Sequence, residues 1–154
     1  DLASVLPAAL GVVAVVAVIY AQKQFIEAYG LMPKEQQLVR QLREAVRSRG
    51  PYEVVMFILF AVLIAPVAEE LVFRGLLYLP VRAALGPLRA GLLVSAAFAL
   101  IHGYPVTFLP VFTLALVLIW LLEVSRSLWV PMLAHALFNG VSISLIIRGA
   151  EAPL

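Results

Sequence analysis

The sequence Val54–Leu79, VVMFILFAVLIAPVAEELVFRGLLYL, decides the fold class of this protein. It is longer than the about 20 mostly apolar residues that a helix needs to cross a bilayer. Its only charged residues are Glu69, Glu70 and Arg74. A charged side chain at the centre of such a helix costs about 2.5–3.5 kcal/mol on insertion scales. The stretch therefore predicts a membrane helix whose charged residues pair with one another or serve a function.

The rest of the chain has the same apolar character. Of its 154 residues, 64% are hydrophobic and 13% are charged, whereas a soluble domain is about 45–50% apolar. Besides the stretch above, four segments are apolar enough to cross a membrane: Leu2–Ala21, Gly91–His102, Val106–Leu122 and Val130–Ile147. The sequence therefore predicts an all-α fold, a polytopic membrane helix bundle with about five transmembrane helices in an integral, multi-pass membrane protein.

The connection 22–50 differs from these segments because it carries six Lys and Arg residues. Its leucines Leu31, Leu38 and Leu42 lie at roughly helical spacing, which predicts an amphipathic helix at the membrane interface. A solvated connecting helix fits the same pattern. We therefore divide the chain into residues 1–50, an N-terminal transmembrane helix with its amphipathic connection, and residues 51–154, the main helix bundle.

Composition excludes several classes of function. The chain has no cysteine, so disulfides, thiolate metal sites and a cysteine nucleophile are ruled out. The net charge of +2 comes from 11 Lys and Arg residues, most of which lie between the apolar segments. That placement is typical of the loops of membrane proteins. The predicted partner is therefore the lipid bilayer and not a nucleic acid.

Helical spacing sorts the charged residues of the central stretch. Glu70 and Arg74 are four residues apart and share a face, so they can form an ion pair. Glu69 is turned about 100° away by the 3.6-residue period, which predicts an unpaired carboxylate. Farther along, Leu79-Pro80 and Gly86-Pro87 are predicted to break the helix and to bound a short basic connection.

Three more polar residues, His102, His135 and Asn139, lie in the later apolar segments. In an antiparallel bundle, Glu69, His102 and His135 fall about 15, 18 and 10 Å from the same membrane surface, at 1.5 Å per residue. This common depth predicts one polar site. Taken singly, either histidine or Asn139 could simply donate a hydrogen bond between helices, and the Glu70–Arg74 pair could be purely structural.

At these residues the sequence resembles the CPBP family, the CAAX-protease and bacteriocin-processing group of intramembrane proteases. The resemblance rests on three complete motifs in order: EExxxR at Glu69, Glu70 and Arg74, FxxxH at Phe98 and His102, and HxxxN at His135 and Asn139. It extends from about Val54 to Ile147 and makes 51–154 a catalytic bundle. The glycines that the family often shows between its last two motifs are replaced by Ala115 and bulkier residues.

The resemblance implies hydrolysis of a peptide bond in or beside the membrane, in a peptide or protein substrate that is lipidated in the namesake enzymes. On this basis Glu69 would be the general base, His102 would help to hold the water, and His135 with Asn139 would stabilise the oxyanion. Supporting roles would fall to Glu70, Arg74 and Phe98.

Whether a metal takes part is left open by the sequence. Glu69, His102 and His135 are a plausible ligand set for a divalent metal such as zinc, with room for a water. The HExxH spacing of soluble zinc proteases is missing. A glutamate-dependent protease and a metalloprotease therefore both remain as predictions.

Two other classes of protein and the orientation also stay open. A non-enzymatic protein with a bacteriocin-immunity or partner-binding role would keep the fold, and a proton-coupled transporter could use Glu and His as a relay. The positive-inside rule places the connection 22–50 in the cytoplasm and Arg82, Arg89 and Arg126 outside. The resemblance implies a site open to the cytoplasm, which requires the reverse orientation.

Overall fold

The computed structural model describes residues 51–103 and 105–147. In the N-terminal region it describes only seven helical, exposed residues: Val13, Val16, Ala17, Tyr20, Ala21, Gln24 and Ala28. The predicted span Leu2–Ala21 and the predicted amphipathic connection 22–50 therefore lie almost entirely outside the described residues. Within the described residues every regular element is a helix, as the all-α prediction requires.

The first helix with described bounds, α1, is continuous over Pro51–Leu85. Two parts of it are π-helical, with the wider i to i+5 hydrogen-bond pattern that is rare in proteins and frequent at functional sites. The segments in order are Pro51–Leu59 (α), Phe60–Ile64 (π), Ala65–Glu70 (α), Leu71–Tyr78 (π) and Leu79–Leu85 (α). Both glutamates of the EExxxR motif thus lie on a short α segment between two π segments.

The predicted break at Leu79-Pro80 is wrong, because α1 continues through Pro80 to Leu85. Pro80 lies directly after the second π segment, Leu71–Tyr78, and a local π adjustment is one way in which a membrane helix tolerates a proline in its interior. The chain breaks instead at Gly86-Pro87, as predicted. Gly86 has φ +79° and ψ +165°, a conformation that is essentially restricted to glycine.

Three further helices complete the bundle: α2 is Pro87–Ile101, α3 is Phe108–Ser125 and α4 is Trp129–Ile147. A 3-10 turn, Pro105–Thr107, leads into α3. In the described part of the chain, α1 and α3 are long and apolar enough to cross a membrane, and α2 is a shorter apolar helix. The count of five transmembrane helices remains a prediction.

The buried core lies mainly between α1, α2 and α3. It contains Phe73, Tyr78, Phe98, Ala115 and Ile119, with Ala115 fully buried where the resemblance led us to expect a glycine. Leucines of α3 pack against α4 in a second cluster. Many outward-facing side chains are large and apolar, which suits a surface that contacts lipid and not water.

Replacing Gly86 with Ala is expected to destabilise the protein by about 1–3 kcal/mol, the range for a residue forced into a disfavoured backbone conformation. A Cβ at this position meets no atom within 4 Å, so the loss comes from the backbone alone. The thermal unfolding midpoint in detergent measures it.

Gly91→Ala is the matched control. Gly91 lies inside α2, where Ala is the better helix former, and its added Cβ would meet Ile119 Cγ2 at an ordinary 3.9 Å. The midpoint should therefore stay constant or rise. If Gly86→Ala lowers the unfolding midpoint by no more than Gly91→Ala does, the backbone explanation is contradicted.

Candidate active site

The site is built around the carboxylate of Glu70, which is fully buried. Its Oε1 accepts a hydrogen bond from Arg74 Nη1 at 3.0 Å and lies 2.8 Å from His135 Nδ1. Arg74 Nη2 also donates to the carbonyl of Ala115, at 3.2 Å. The ion pair that the spacing predicts is therefore present, and it joins α1 to both α3 and α4.

The contact with Glu70 indicates which nitrogen of the His135 ring carries a hydrogen. A carboxylate accepts hydrogen bonds, so Nδ1 must carry the hydrogen that points to Glu70. The other nitrogen, Nε2, lies 3.7 Å from Oε2 of Glu69, which is within ion-pair range and too long for a hydrogen bond. Each nitrogen of one imidazole thus faces one of two successive carboxylates. Glu69 is about a third exposed (32%), whereas Glu70 is enclosed.

The ring of Phe98 is an apolar surface that several other side chains of the site contact. Its ring is almost fully buried, and the guanidinium carbon of Arg74 lies 4.7 Å from its centroid, in the range of a cation–π contact. The ring centroids of His102 and His135 lie 4.6 and 6.0 Å from it. Phe73 contacts it edge-on at 4.9 Å. Both predicted histidines therefore contact the same phenyl ring.

His102 follows the last residue of α2 and is half-buried. Its Nδ1 lies 2.8 Å from the carbonyl oxygen of Phe98, and because a carbonyl only accepts, Nδ1 carries the hydrogen. Nε2 of the neutral ring is then free to accept. An open apolar cavity of about 400 Å³ lies between the end of α2 and the start of α3, and His102 is not part of its lining. Its lining consists of Ala99, Leu100, Gly103, Pro105 and Phe108.

Asn139 is placed differently from the other predicted site residues. Its amide nitrogen donates to the backbone carbonyl of Ala61 at 2.9 Å, in the first π segment of α1. The structure therefore brings together Glu69, Glu70, Arg74, Phe98, His102 and His135, and it directs Asn139 to the helix backbone next to them.

The placement of the three residues predicted as possible metal ligands can be described. Across residues 51–103 and 105–147, no group of three His, Asp or Glu side chains is placed to hold one ion. One nitrogen of His135 is directed to Glu70 and the other faces Glu69. The metal set Glu69, His102 and His135 therefore stays a prediction.

A second polar cluster was not predicted from the sequence. Arg82 donates from Nη2 to Oε2 of Glu123 at 2.9 Å and from Nε to Oε1, and the Tyr78 hydroxyl donates to the same carboxylate at 3.0 Å. Tyr78 and Arg82 follow Arg74 at intervals of four residues. That spacing was the available signal, since it places all three on one face of α1, and this face is bonded to α3.

The comparisons with known proteins agree with the motifs. The family model of the type II CAAX prenyl endopeptidase Rce1-like proteins matches residues 51–141, which include every residue of the candidate site. No curated protein and no solved structure matches the chain. The resemblance to the CAAX proteases is thus confirmed over more than half of the chain. The chain belongs to the Rce1-like family of type II CAAX prenyl endopeptidases, a family of membrane proteases.

Proposed function

We propose that the protein is an intramembrane endopeptidase that hydrolyses a peptide bond with a water molecule activated by Glu69. The carboxylate arrangement supports this most directly. Glu69 is partly exposed and, in the described part of the chain, makes no hydrogen bond, while the adjacent Glu70 is fully buried and its Oε1 is bonded to Arg74 and His135. Of the two carboxylates, Glu69 is therefore the one that a water molecule can reach and give a proton to.

The reaction needs one base that later acts as an acid. A water positioned by Glu69 and by the free Nε2 of His102 gives one proton to Glu69 while its oxygen attacks the peptide carbonyl carbon. As the C–N bond breaks, Glu69 returns this proton to the leaving amine. The products are a carboxylic acid and an amine, and Glu69 ends in its starting carboxylate form.

The second histidine would stabilise the charge that develops on the carbonyl oxygen. In its imidazolium form His135 has an Nε2–H that donates a charge-assisted hydrogen bond to an oxyanion. Glu70 orients the ring through Nδ1, and Arg74 neutralises Glu70 in the apolar interior. The amide of Asn139 has a second hydrogen besides the one given to Ala61, so its predicted part in the oxyanion site remains a prediction.

The substrate that fits this proposal is a peptide or protein segment that reaches the site from the bilayer. The family's description is that of a CAAX prenyl endopeptidase, and the apolar cavity at the end of α2 suits a lipidated or strongly apolar segment. The multi-pass arrangement is part of the same proposal, because several helices must enclose the polar groups within the membrane.

Hydrolysis in H₂¹⁸O tests the function. Purified protein in proteoliposomes is incubated with prenylated C-terminal peptides and their unmodified counterparts, and mass spectrometry follows the products. One ¹⁸O atom in the new carboxylate is expected, and empty liposomes are the control. Proton flux without cleavage would instead assign a transporter, and stoichiometric peptide binding without cleavage a binding protein. If no peptide is cut or bound, comparative membrane proteomics of cells that produce the wild type or Glu69→Gln identifies the substrate.

A further inference from the structure

One backbone carbonyl of α1 has no donor within its own helix. In the π segment Phe60–Ile64 the amide of Ala65 donates to the carbonyl of Phe60, five residues back. The next amide in this register, that of residue 66, would serve the carbonyl of Ala61. Residue 66 is a proline, which has no amide hydrogen. In an α-helix the Ala61 carbonyl would accept from the amide of Ala65, but this amide donates to Phe60 here. In the π pattern it would accept from residue 66, which has no amide hydrogen.

Asn139 supplies the missing donor from α4. Its Nδ2 lies 2.9 Å from the Ala61 oxygen. Ala61 is 6% exposed, and a buried carbonyl without a donor is costly. The contact lies where α1 and α4 pack closely against each other. A Cβ added at Gly140 would lie 3.7 Å from Val62 Cγ1, and Ile143 packs directly with Ala61.

We propose that Asn139 replaces the amide that Pro66 lacks and so holds the π register that orients Glu69 and Glu70. An extra residue in one turn rotates everything that follows by about 100°. A shift of this turn to the α register would rotate the segment Ala65–Glu70 and move its carboxylates away from His135. Asn139 is thus a positioning residue that acts through the Ala61 carbonyl. The consequence for cleavage rests on the proposed function, whereas the hydrogen bond can be tested without it.

A double-mutant cycle between Pro66 and Asn139 tests the proposal. In the wild-type background, Asn139→Ala should lower the thermal unfolding midpoint by about 2–4 °C. It should also lower cleavage about a hundredfold, the order expected for a misplacement of about 1 Å. In the Pro66→Ala background residue 66 has an amide that can serve Ala61. The same Asn139→Ala change should then leave the midpoint almost constant and lower cleavage by a smaller factor than in the wild-type background.

Pro80→Ala is the matched background, because Pro80 is the other proline in the interior of α1 and its amide would lie far from Ala61. In that background Asn139→Ala should lower the unfolding midpoint by as much as it does in the wild type. Equal midpoint losses in the Pro66→Ala and wild-type backgrounds would overturn the proposal. A restored midpoint with the same factor of cleavage loss in both backgrounds would also overturn it, since the bond to Ala61 would then not position the carboxylates.

The two hypotheses fail in different ways. The unfolding midpoints of the wild type, Asn139→Ala, Pro66→Ala and the double variant do not depend on cleavage. They therefore decide whether Asn139 donates to the Ala61 carbonyl even if Pro66→Ala lowers cleavage or the wild type cleaves no substrate. Absence of cleavage by the wild type would count against the proposed function only.

Discussion

Glu69→Gln is expected to lower cleavage about 10⁴-fold, at the upper end of what a general base contributes, and to leave the helix bundle folded. Glutamine has nearly the same size as glutamate, but its amide cannot take a proton from water at neutral pH. Because Glu69 is about a third exposed and its contact with the described residues is the 3.7 Å approach to His135, with no hydrogen bond, stability should change by less than about 0.5 kcal/mol. Cleavage rates and unfolding midpoints of the two purified proteins measure both effects.

Glu53→Gln is the matched control for this change. Glu53 is an exposed carboxylate in the first turn of the same helix, distant from the site, and its loss should leave cleavage at the wild-type rate. Wild-type turnover in Glu69→Gln would remove Glu69 from the role of base. A loss of cleavage accompanied by unfolding would show a structural role in its place.

Arg74→Met is expected to cause the largest loss of stability, about 3–5 kcal/mol, the usual cost of leaving a buried charge without its partner. Arg74 is fully buried and donates both to Glu70 and to the Ala115 carbonyl. Without it, the Glu70 carboxylate stays in the apolar interior with only His135 to balance its charge. The thermal midpoint and the yield of folded protein should both fall sharply.

The double variant Glu70→Gln/Arg74→Met separates the charge from the packing. With both charges removed, much of the stability should return, while cleavage stays low because His135 has lost the carboxylate that orients it. Arg89→Met, at an exposed position of α2, should change stability by less than about 0.5 kcal/mol. A double variant no more stable than Arg74→Met would show that the guanidinium matters through its contacts with Phe98 and Ala115 instead.

Local periodicity predicted much of the site. The four-residue spacing of Glu70 and Arg74 led directly to their ion pair, and the depth argument anticipated that residues of three helices meet at one level. Both results depend only on the rise and turn of a helix, which every helical segment shares. Motifs with this spacing are therefore readable from a single sequence.

The contacts between helices could not be predicted in this way. The bonds from His135 to Glu70 and from Asn139 to Ala61 depend on which faces meet, and a uniformly apolar membrane helix does not show its packing face by hydrophobic pattern alone. The π segments of α1 were also invisible, since the register of backbone bonds leaves no trace in side-chain polarity. The break predicted at Pro80 failed for the same reason.

The local pairing of Glu70 with Arg74 bears on how the protein is made. The two residues lie one turn apart in α1, so they neutralise each other as soon as that helix forms, before the later helices have been synthesised. The pair then adds no net charge to the helix as it enters the bilayer. His135 lies on α4, so Glu69 meets its histidine only after α2 and α3 have been synthesised. On the proposed mechanism, cleavage would therefore begin only once α4 has packed against α1.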